Sequence, residues 1–267
     1  MEVMFLVLLF VVGACFGSFL CCQVRRLRYR TTHKRKTGLG SRSCCLSCKH
    51  QLAWYDNIPV LSWFLLGGKC RNCGKAIGYL EIISEIGVAL AFVALGTTID
   101  VFTADPLSWA TFIVILLLTL ILAFLAIYDG AYGELPTKYL AASILVALVA
   151  LALEQIAILI IFPFTPEVVL APLASVVILG GLYLALYLVS GGKWVGDGDW
   201  LLGTAVGLAL ADPWLALIAL CIANLLACLA IVPMMRKTRR RKIHFGPFMV
   251  AAFVITYTFS GFFLGLI

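Results

Sequence analysis

The chain has 267 residues, of which 63% are hydrophobic and 12% are charged. Soluble domains carry about a quarter charged residues, so this composition excludes an ordinary water-soluble globular protein. The net charge of +7 would suit a nucleic-acid-binding protein, but in so apolar a chain it indicates basic loops on one side of a membrane.

Eight apolar segments follow one another along the chain, and each is predicted to be a helix that crosses the membrane. They are about 3–24, 80–98, 107–128, 139–161, 168–190, 198–211, 213–232 and 246–267. The first is interpreted as a retained span, because it lacks the basic start and the small-residue cleavage site of a signal peptide. The pattern predicts an all-α polytopic membrane protein with about eight transmembrane helices.

The lysines and arginines are unevenly distributed along the chain. Twelve of the twenty lie between Arg25 and Lys75, six lie in residues 236–242, and the others are Lys138 and Lys193. With the N-terminus outside, all twenty face the cytoplasm, as the positive-inside rule requires. We therefore predict a multi-pass protein of the bacterial inner (cytoplasmic) membrane, whose partner is the lipid bilayer and not nucleic acid.

The sixth segment is short for a membrane crossing. The twelve residues from Trp200 to Ala211 span about 18 Å as a helix, against a hydrocarbon core of about 30 Å. The preceding loop, Gly196-Asp197-Gly198-Asp199, is therefore predicted to dip into the membrane. Irregular backbone at that depth is tolerated where it lines a cavity or is buried in protein.

A polar insert between the first two spans carries four regularly spaced cysteines. Cys45-x-x-Cys48 is followed after 21 residues by Cys70-x-x-Cys73, which is typical of a zinc-ribbon-like site with four thiolates and no open position. Redox thiols or two disulfides are the alternatives, although a cytoplasmic location disfavours disulfides. Cys44 is an alternative ligand because it adjoins the first pair.

These features predict three parts of the chain. Residues 1–24 form the first transmembrane helix, 25–78 form the small cytoplasmic zinc-binding insert, and 79–267 form the remaining transmembrane core. An insert of this size rarely holds a hydrophobic core without a staple, and a bound Zn²⁺ would provide one.

Two acids at the ends of spans are candidates for catalysis. Asp129 ends the third span and Asp199 closes the glycine-rich loop before the sixth. Acids at membrane depth are costly and usually functional. Two carboxylates that share one proton can activate a water and polarise a peptide carbonyl. The two glycines are expected to allow close backbone approach and unusual dihedral angles. Alternatively, Asp and Gly here only mark turns between spans.

A second pair of acids begins the second span. Glu81 and Glu85 lie one helical turn apart, so they could together bind a basic ligand or a metal ion. Alternatively, acids at a helix start complement the helix dipole, and this interpretation suits Glu81 better than the deeper Glu85.

Several motifs together resemble a known family. They are Gly17-Ser18-Phe19-Leu20 followed by Arg26, the two cysteine pairs flanking Asp56-Asn57-Ile58-Pro59-Val60-Leu61-Ser62-Trp63, Gly68-Lys69-Cys70-Arg71, Asp129 with Pro136, Gly196-Asp197-Gly198-Asp199 and Phe245-Gly246-Pro247-Phe248. In this order they resemble the bacterial type IV prepilin peptidases, which are intramembrane aspartic proteases of the GxGD type. Cys21, Leu46 and His244 depart from the family pattern, and an Arg-Tyr-Pro run is missing before Glu85.

The resemblance implies a function and a site. It implies that Asp129 and Asp199 are the catalytic pair of an endopeptidase that removes the short basic leader of type IV prepilins or of competence or secretion pseudopilins. Many members also N-methylate the new terminus with S-adenosylmethionine, but no residue is predicted to bind this cofactor. The alternative is a non-enzymatic scaffold or transporter with a zinc-ribbon docking domain. A transporter would be expected to show acids near the bilayer midplane and repeat symmetry.

Overall fold

The computed structural model describes residues 1–33, 43–45, 47–235 and 244–266. Every regular element in these ranges is helical, which confirms the predicted all-α class. The basic cluster predicted at 236–242 and part of the basic run at 25–42 lie outside the described residues. The chain divides into two compact units, an N-terminal unit of Met1–Gly96 and a C-terminal unit of Thr97–Ile267.

The N-terminal unit contains two long helices and a compact insert. Its elements are α1 (Glu2–His33), a 3-10 turn (Trp54–Asn57), α2 (Leu61–Leu65) and α3 (Tyr79–Gly96). Helices α1 and α3 pack together through Gly13 and Gly17, a small-residue pair four apart that lets membrane helices approach closely. A Cβ on Gly13 would lie 2.8 Å from the Cα of Ala89, so a larger residue would force the helices apart.

The described residues of the C-terminal unit form a bundle of eight helices. They are α4 (Pro106–Tyr132), α5 (Thr137–Ile161), α6 (Glu167–Val176), α7 (Leu182–Ser190), α8 (Asp199–Leu210), α9 (Pro213–Met235), α10 (Gly246–Thr258) and α11 (Ser260–Leu264). Helices α6 and α7 run on through a π-helical turn, Val177–Gly181, so that the predicted fifth span is one continuous helical segment.

Helix α8 lies in the core of the C-terminal unit. Seven of its twelve residues are buried, and Leu202, Ala205 and Val206 are fully so. Gly203 and Gly207 face the α6–π segment at backbone contact, and the Ser175 hydroxyl donates to the Gly207 carbonyl at 2.7 Å. Because α8 packs against α5, α6 and α10, its first residue occupies a fixed position.

All eight predicted crossing segments are helical, but their lengths differ. Within the part of the chain that the structure describes, six helical segments are long and apolar enough to cross a membrane, while Asp199–Leu210 and Gly246–Thr258 are shorter. The sixth segment is therefore short, as predicted. Helix α1 continues to His33, well beyond the predicted end near residue 24, because no proline or glycine interrupts Arg25–Arg30. The last span breaks at Phe259 rather than running to the end of the chain.

The packing boundary at Gly96 differs from the predicted division of the chain. The predicted boundaries at 24 and 78 separate residues in the membrane from residues in the cytoplasm. The packing boundary instead follows contacts between helices, and these place α1 and α3 in the same unit. The division of 1–24, 25–78 and 79–267 describes membrane sidedness and stays a prediction.

Candidate active site and metal centre

The four spaced cysteines come together in the N-terminal unit. The sulfur atoms of Cys45, Cys48, Cys70 and Cys73 all lie within 4.8 Å of one another, and the Sγ atoms of Cys45 and Cys73 are 3.8 Å apart. Tetrahedral zinc with Zn–S bonds of about 2.3 Å requires sulfurs separated by about 3.8 Å. The cluster therefore has dimensions suited to one tetrahedral ion.

The two cysteine pairs form knuckles of the same geometry. In each knuckle, the carbonyl of the first cysteine accepts a hydrogen bond from the backbone N–H four residues later. Lys49 donates to Cys45 at 2.9 Å, and Gly74 donates to Cys70 at 2.8 Å. Both of those residues have left-handed backbone, with φ values of 59° and 67°. Glycine adopts this conformation at no steric cost, whereas Lys49 is strained in it. The turns direct the paired sulfurs of each knuckle toward a common centre.

Backbone donors lower the pKa of three of the four cysteines in this cluster, whereas desolvation and the neighbouring cysteine side chains outweigh the Lys75 backbone N–H and raise the pKa of Cys73 to about 11. The pKa of the Cys45 thiol is lowered, chiefly by the backbone N–H of Cys48, and the pKa of Cys70 is lowered by that of Cys73. The backbone N–H of His50 lowers the pKa of Cys48, and the Asn72 side-chain amide lies 3.8 Å from the Cys48 sulfur. Thiolates are the form of cysteine that binds metal.

Cys44 does not belong to the cluster. It pairs through its backbone with Gln51 across the base of the first knuckle, and its sulfur is not among the four that converge. All ten cysteines are at described positions, and all are free thiols. Among the described residues, the group of four converging ligands leaves out Cys44, and no cysteine forms a disulfide.

Glu81 and Glu85 point to different partners and form no joint site. Glu81 makes an ion pair with Arg25 in the first turn of α3. Glu85 is buried, and one of its carboxylate oxygens accepts the backbone N–H of Val60 at 2.7 Å. The interpretation of Glu81 as an acid at a helix start therefore agrees with its position, while Glu85 fixes the loop of the insert.

Asp129 lies near the C-terminal end of α4, in the C-terminal unit. Its side chain is buried, and its Oδ2 accepts the backbone N–H of Gly246 at 2.9 Å. The other oxygen, Oδ1, is 3.8 Å from Nδ1 of His244. A Cβ at position 246 would lie 2.9 Å from Oδ2, so glycine allows the start of α10 to approach the carboxylate.

Asp199 is the first residue of α8. Its Oδ2 accepts the backbone N–H of Gly196 at 2.9 Å, and its charge complements the positive end of the helix. A Cβ on Gly198 would lie 2.6 Å from the Cβ of Leu135, so the second glycine permits close packing on the α4–α5 connection. Gly198 has an ordinary φ of −89°, and neither glycine has a positive φ. The expectation of unusual dihedral angles was therefore wrong.

The fold brings the two acids together at one end of the C-terminal unit. Helices α5 and α10 each pack against both α4 and α8, and the charges of Asp129 and Asp199 interact. Asp197 and Glu134 are exposed by contrast. Two neighbouring carboxylates in a partly buried site can share one proton, the arrangement that aspartic proteases use.

Sequence reasoning missed the residues that position the acids. Gly246 stood out only as part of a motif at the start of the last span, and Leu135 not at all. Tyr183 was also missed: its phenol lies near enough to Asp199 to feel the charge of that carboxylate, and its ring contacts Phe245. The one available signal was the Gly-Pro pair, because proline in the first turn marks a helix start at this position.

A family model from known proteins ends close to the boundary between the two units. The model of the bacterial peptidase A24 N-terminal domain matches residues 11–99, which lie almost wholly in the N-terminal unit. A prepilin leader peptidase/N-methyltransferase of Myxococcus xanthus is 42% identical over 91 residues, covering 34% of this chain and 26% of that protein. No solved structure matches the chain.

Other relatives extend the match over both units. A protein of the same name from Aeromonas salmonicida is 28% identical over 271 residues, covering 92% of this chain and 87% of its own length. The Aeromonas hydrophila protein of that name is 30% identical over 215 residues, covering 79% of this chain and 69% of its own. This chain therefore belongs to the prepilin leader peptidase/N-methyltransferase family.

Proposed function

We propose that this protein is a membrane-embedded aspartic endopeptidase that removes the short basic leader from type IV prepilins or pseudopilins. The observation that carries the proposal is the pairing of Asp129 and Asp199, each held by the backbone N–H of a glycine at one end of a helical bundle. Family membership supports the same activity, since the relatives described above are named prepilin leader peptidase/N-methyltransferase.

The geometry suggests how the two acids would divide the chemistry. Each carboxylate is held through Oδ2, which fixes the direction of its Oδ1. With one proton shared between them, the ionised group takes a proton from water while the protonated group donates to the peptide carbonyl. The attacking water adds to the carbonyl carbon, and the proton then passes to the leaving amine as the C–N bond breaks.

Leader removal from a prepilin in membranes tests this proposal. Asp129→Asn and Asp199→Asn should each abolish cleavage, because either change removes the base or the acid. Their effects should not add in the double variant, because the pair acts as a unit. Asp197→Asn, which alters an exposed acid of the same loop, is the matched control and should keep substantial activity.

Expression at the wild-type level must accompany each variant in that assay. Full processing by Asp199→Asn would contradict the aspartic-protease assignment. It would favour the alternative of a membrane scaffold or transporter, which does not require either acid.

We propose that the four-cysteine cluster holds one structural Zn²⁺. Four thiolates leave no open coordination position for catalysis, so the ion would stabilise the insert rather than activate water. Chelators should therefore leave the cleavage chemistry itself intact.

The family name also includes N-methylation, and we propose that the N-terminal unit holds the methyl donor, S-adenosylmethionine. A cavity of about 350 Å³ lies there, lined in part by Arg25, Trp63, Glu81 and Glu85. That volume suits a small-molecule ligand. Nε1 of Trp63 and Oε2 of Glu81 are buried without a hydrogen-bond partner among the described residues, so both remain to be satisfied.

The donor supplies a methyl group when bound, and the lining carboxylates would stabilise its positive sulfonium. Equilibrium binding of labelled S-adenosylmethionine to the purified protein measures this site separately from methyl transfer. Trp63→Phe should weaken binding by roughly tenfold, because it removes one buried donor. Unchanged binding would place the donor elsewhere.

We propose that the zinc insert and the active site face the cytoplasm. The basis is the placement of all twenty lysines and arginines on one side when the N-terminus is outside. Reporter fusions at Lys49 and Lys237 should report cytoplasm, and a fusion at Asp105 should report the outside. An outside signal at Lys49 would overturn the orientation.

A further inference from the structure

A short segment of the insert exposes an unusual amount of apolar surface. Residues 54–65 form the 3-10 turn and α2, within a part of the chain predicted to be a cytoplasmic insert. Six of its twelve residues are large, apolar or aromatic, and exposed: Trp54, Tyr55, Ile58, Leu61, Phe64 and Leu65. Phe64 is 62% exposed and Leu65 is 75% exposed. Contiguous apolar surface of this kind marks an interaction site rather than a solvated loop.

The segment lies beside α3 rather than beyond its end. The backbone N–H of Val60 donates to the Glu85 side chain. Glu85 lies six residues after Tyr79, the first residue of α3, which is about 9 Å along the helix at a rise of 1.5 Å per residue. The ring of Trp63 contacts the ring of Tyr79, the first residue of α3, at 6.1 Å between centroids. Residues 60–63 therefore lie level with the first two turns of a helix that is long and apolar enough to span a membrane.

The exposed apolar surface continues onto α3. Tyr79 and Ile83, four residues apart on one face of the helix, are 73% and 65% exposed. Since Tyr79 contacts Trp63, the segment adjoins this exposed face of α3. Within the segment, the Asp56 side chain is 9% exposed and pairs with Arg71 at 2.9 Å, whereas Asn57 is exposed.

The backbone of the segment is suited to a low-dielectric environment. The N–H groups of Leu61, Ser62 and Phe64 donate to carbonyls within the segment, and the N–H of Val60 is satisfied by Glu85. Non-helical backbone at membrane depth requires such partners. Val60 has a φ of 64°, which is strained for a β-branched residue, and its bond to the buried Glu85 offsets that strain.

We propose that residues 54–65 form an interfacial anchor. The side chains of Leu61, Phe64 and Leu65 lie in the acyl region of the leaflet where α3 begins, and Trp54 and Tyr55 lie among the headgroups. Aromatic side chains favour that interface, and a short amphipathic segment binds in its plane. The bond from Val60 to Glu85 holds the anchor at this depth. This inference depends on membrane insertion of α3 and not on peptidase activity.

Site-specific photocrosslinking of the full chain in vesicles of phosphatidylethanolamine and phosphatidylglycerol tests the anchor. Phe64→p-benzoylphenylalanine should form adducts with phospholipid acyl chains, as should Leu90→p-benzoylphenylalanine on the exposed face of α3. Lys75→p-benzoylphenylalanine, on the exposed polar surface of the insert, is the matched control and should form none. Absence of lipid adducts at position 64, or adducts there with protein alone, would overturn the proposal while position 90 still reports lipid.

The role of Glu85 is tested in the same assay. Glu85→Leu removes the acceptor for the Val60 N–H and should reduce the lipid adduct at position 64 several-fold. Glu85→Gln keeps an acceptor oxygen and should preserve the adduct. Equal adducts in both variants would show that this bond does not hold the anchor.

Discussion

The two units position their functional groups by different means. In the N-terminal unit, four cysteines converge through two short knuckles, and a metal ion would complete the arrangement. In the C-terminal unit, Asp129 and Asp199 are 70 positions apart, and a Cβ added at Gly246 or at Gly198 beside them would lie less than 3.0 Å from a neighbouring side-chain atom. The first site therefore depends on ligand chemistry and the second on close packing, so different substitutions should damage each.

Loss of a metal ligand should have the larger effect. Cys70→Ser should reduce bound zinc from about one ion per chain to none, because three thiolates no longer close the tetrahedral site. Metal analysis of the purified protein measures this directly. The insert should also become more susceptible to proteolysis between Arg25 and Lys75, because so small a unit lacks another staple.

Cys44→Ser is the matched control for that experiment. Cys44 adjoins the cluster but contributes no converging sulfur, so this variant should retain its zinc. An intact insert without bound metal in the wild-type protein would contradict the zinc site and leave the redox alternative.

A single methyl group beside Asp129 should damage the second site without removing any catalytic group. Gly246→Ala keeps the N–H that donates to Asp129 but places a Cβ 2.9 Å from Oδ2, so the carboxylate or α10 must shift. Displacement of a catalytic group by about 1 Å can reduce the rate by roughly 100-fold, and we expect a loss of kcat of that order. Leader cleavage in membranes measures it.

Gly130→Ala provides the matched control on α4. Its Cβ would lie 3.6 Å from the Pro247 ring, an ordinary contact, so activity should remain close to that of the wild type. Equal loss in both variants would indicate general disruption of the bundle, and no loss in either would show that the Asp129–Gly246 approach is unimportant.

The smallest expected effect is a change of rate with pH. At low pH both carboxylates are protonated and no base remains, and at high pH both are ionised and no acid remains. The rate should therefore follow a bell-shaped profile, with a fall of up to about tenfold per pH unit on each side. The two apparent pKa values belong to the pair. A profile that rises or falls in one direction only, measured as kcat/KM, would contradict a shared proton.

Residue types and spacing were enough to predict the all-helical membrane class, the short sixth segment and the cysteine cluster. A long apolar segment that enters lipid must satisfy all its backbone polar groups internally, so it is expected to be a helix. Two closely spaced cysteine pairs predict a set of four thiolate ligands, and such a set binds a metal ion in only a few geometries. Both signals are local, so the sequence by itself determined them.

The positions of the acids, by contrast, depend on packing between distant parts of the chain. Nothing in the local sequence shows that Gly246 donates to Asp129, that Gly198 packs on Leu135, or that Val60 reaches Glu85. Helix α1 also extends past its predicted end, since the helical conformation does not stop where hydrophobicity does. Only the tertiary structure decided these features, because backbone contacts between helices depend on how whole faces pack and leave no periodic pattern in the sequence.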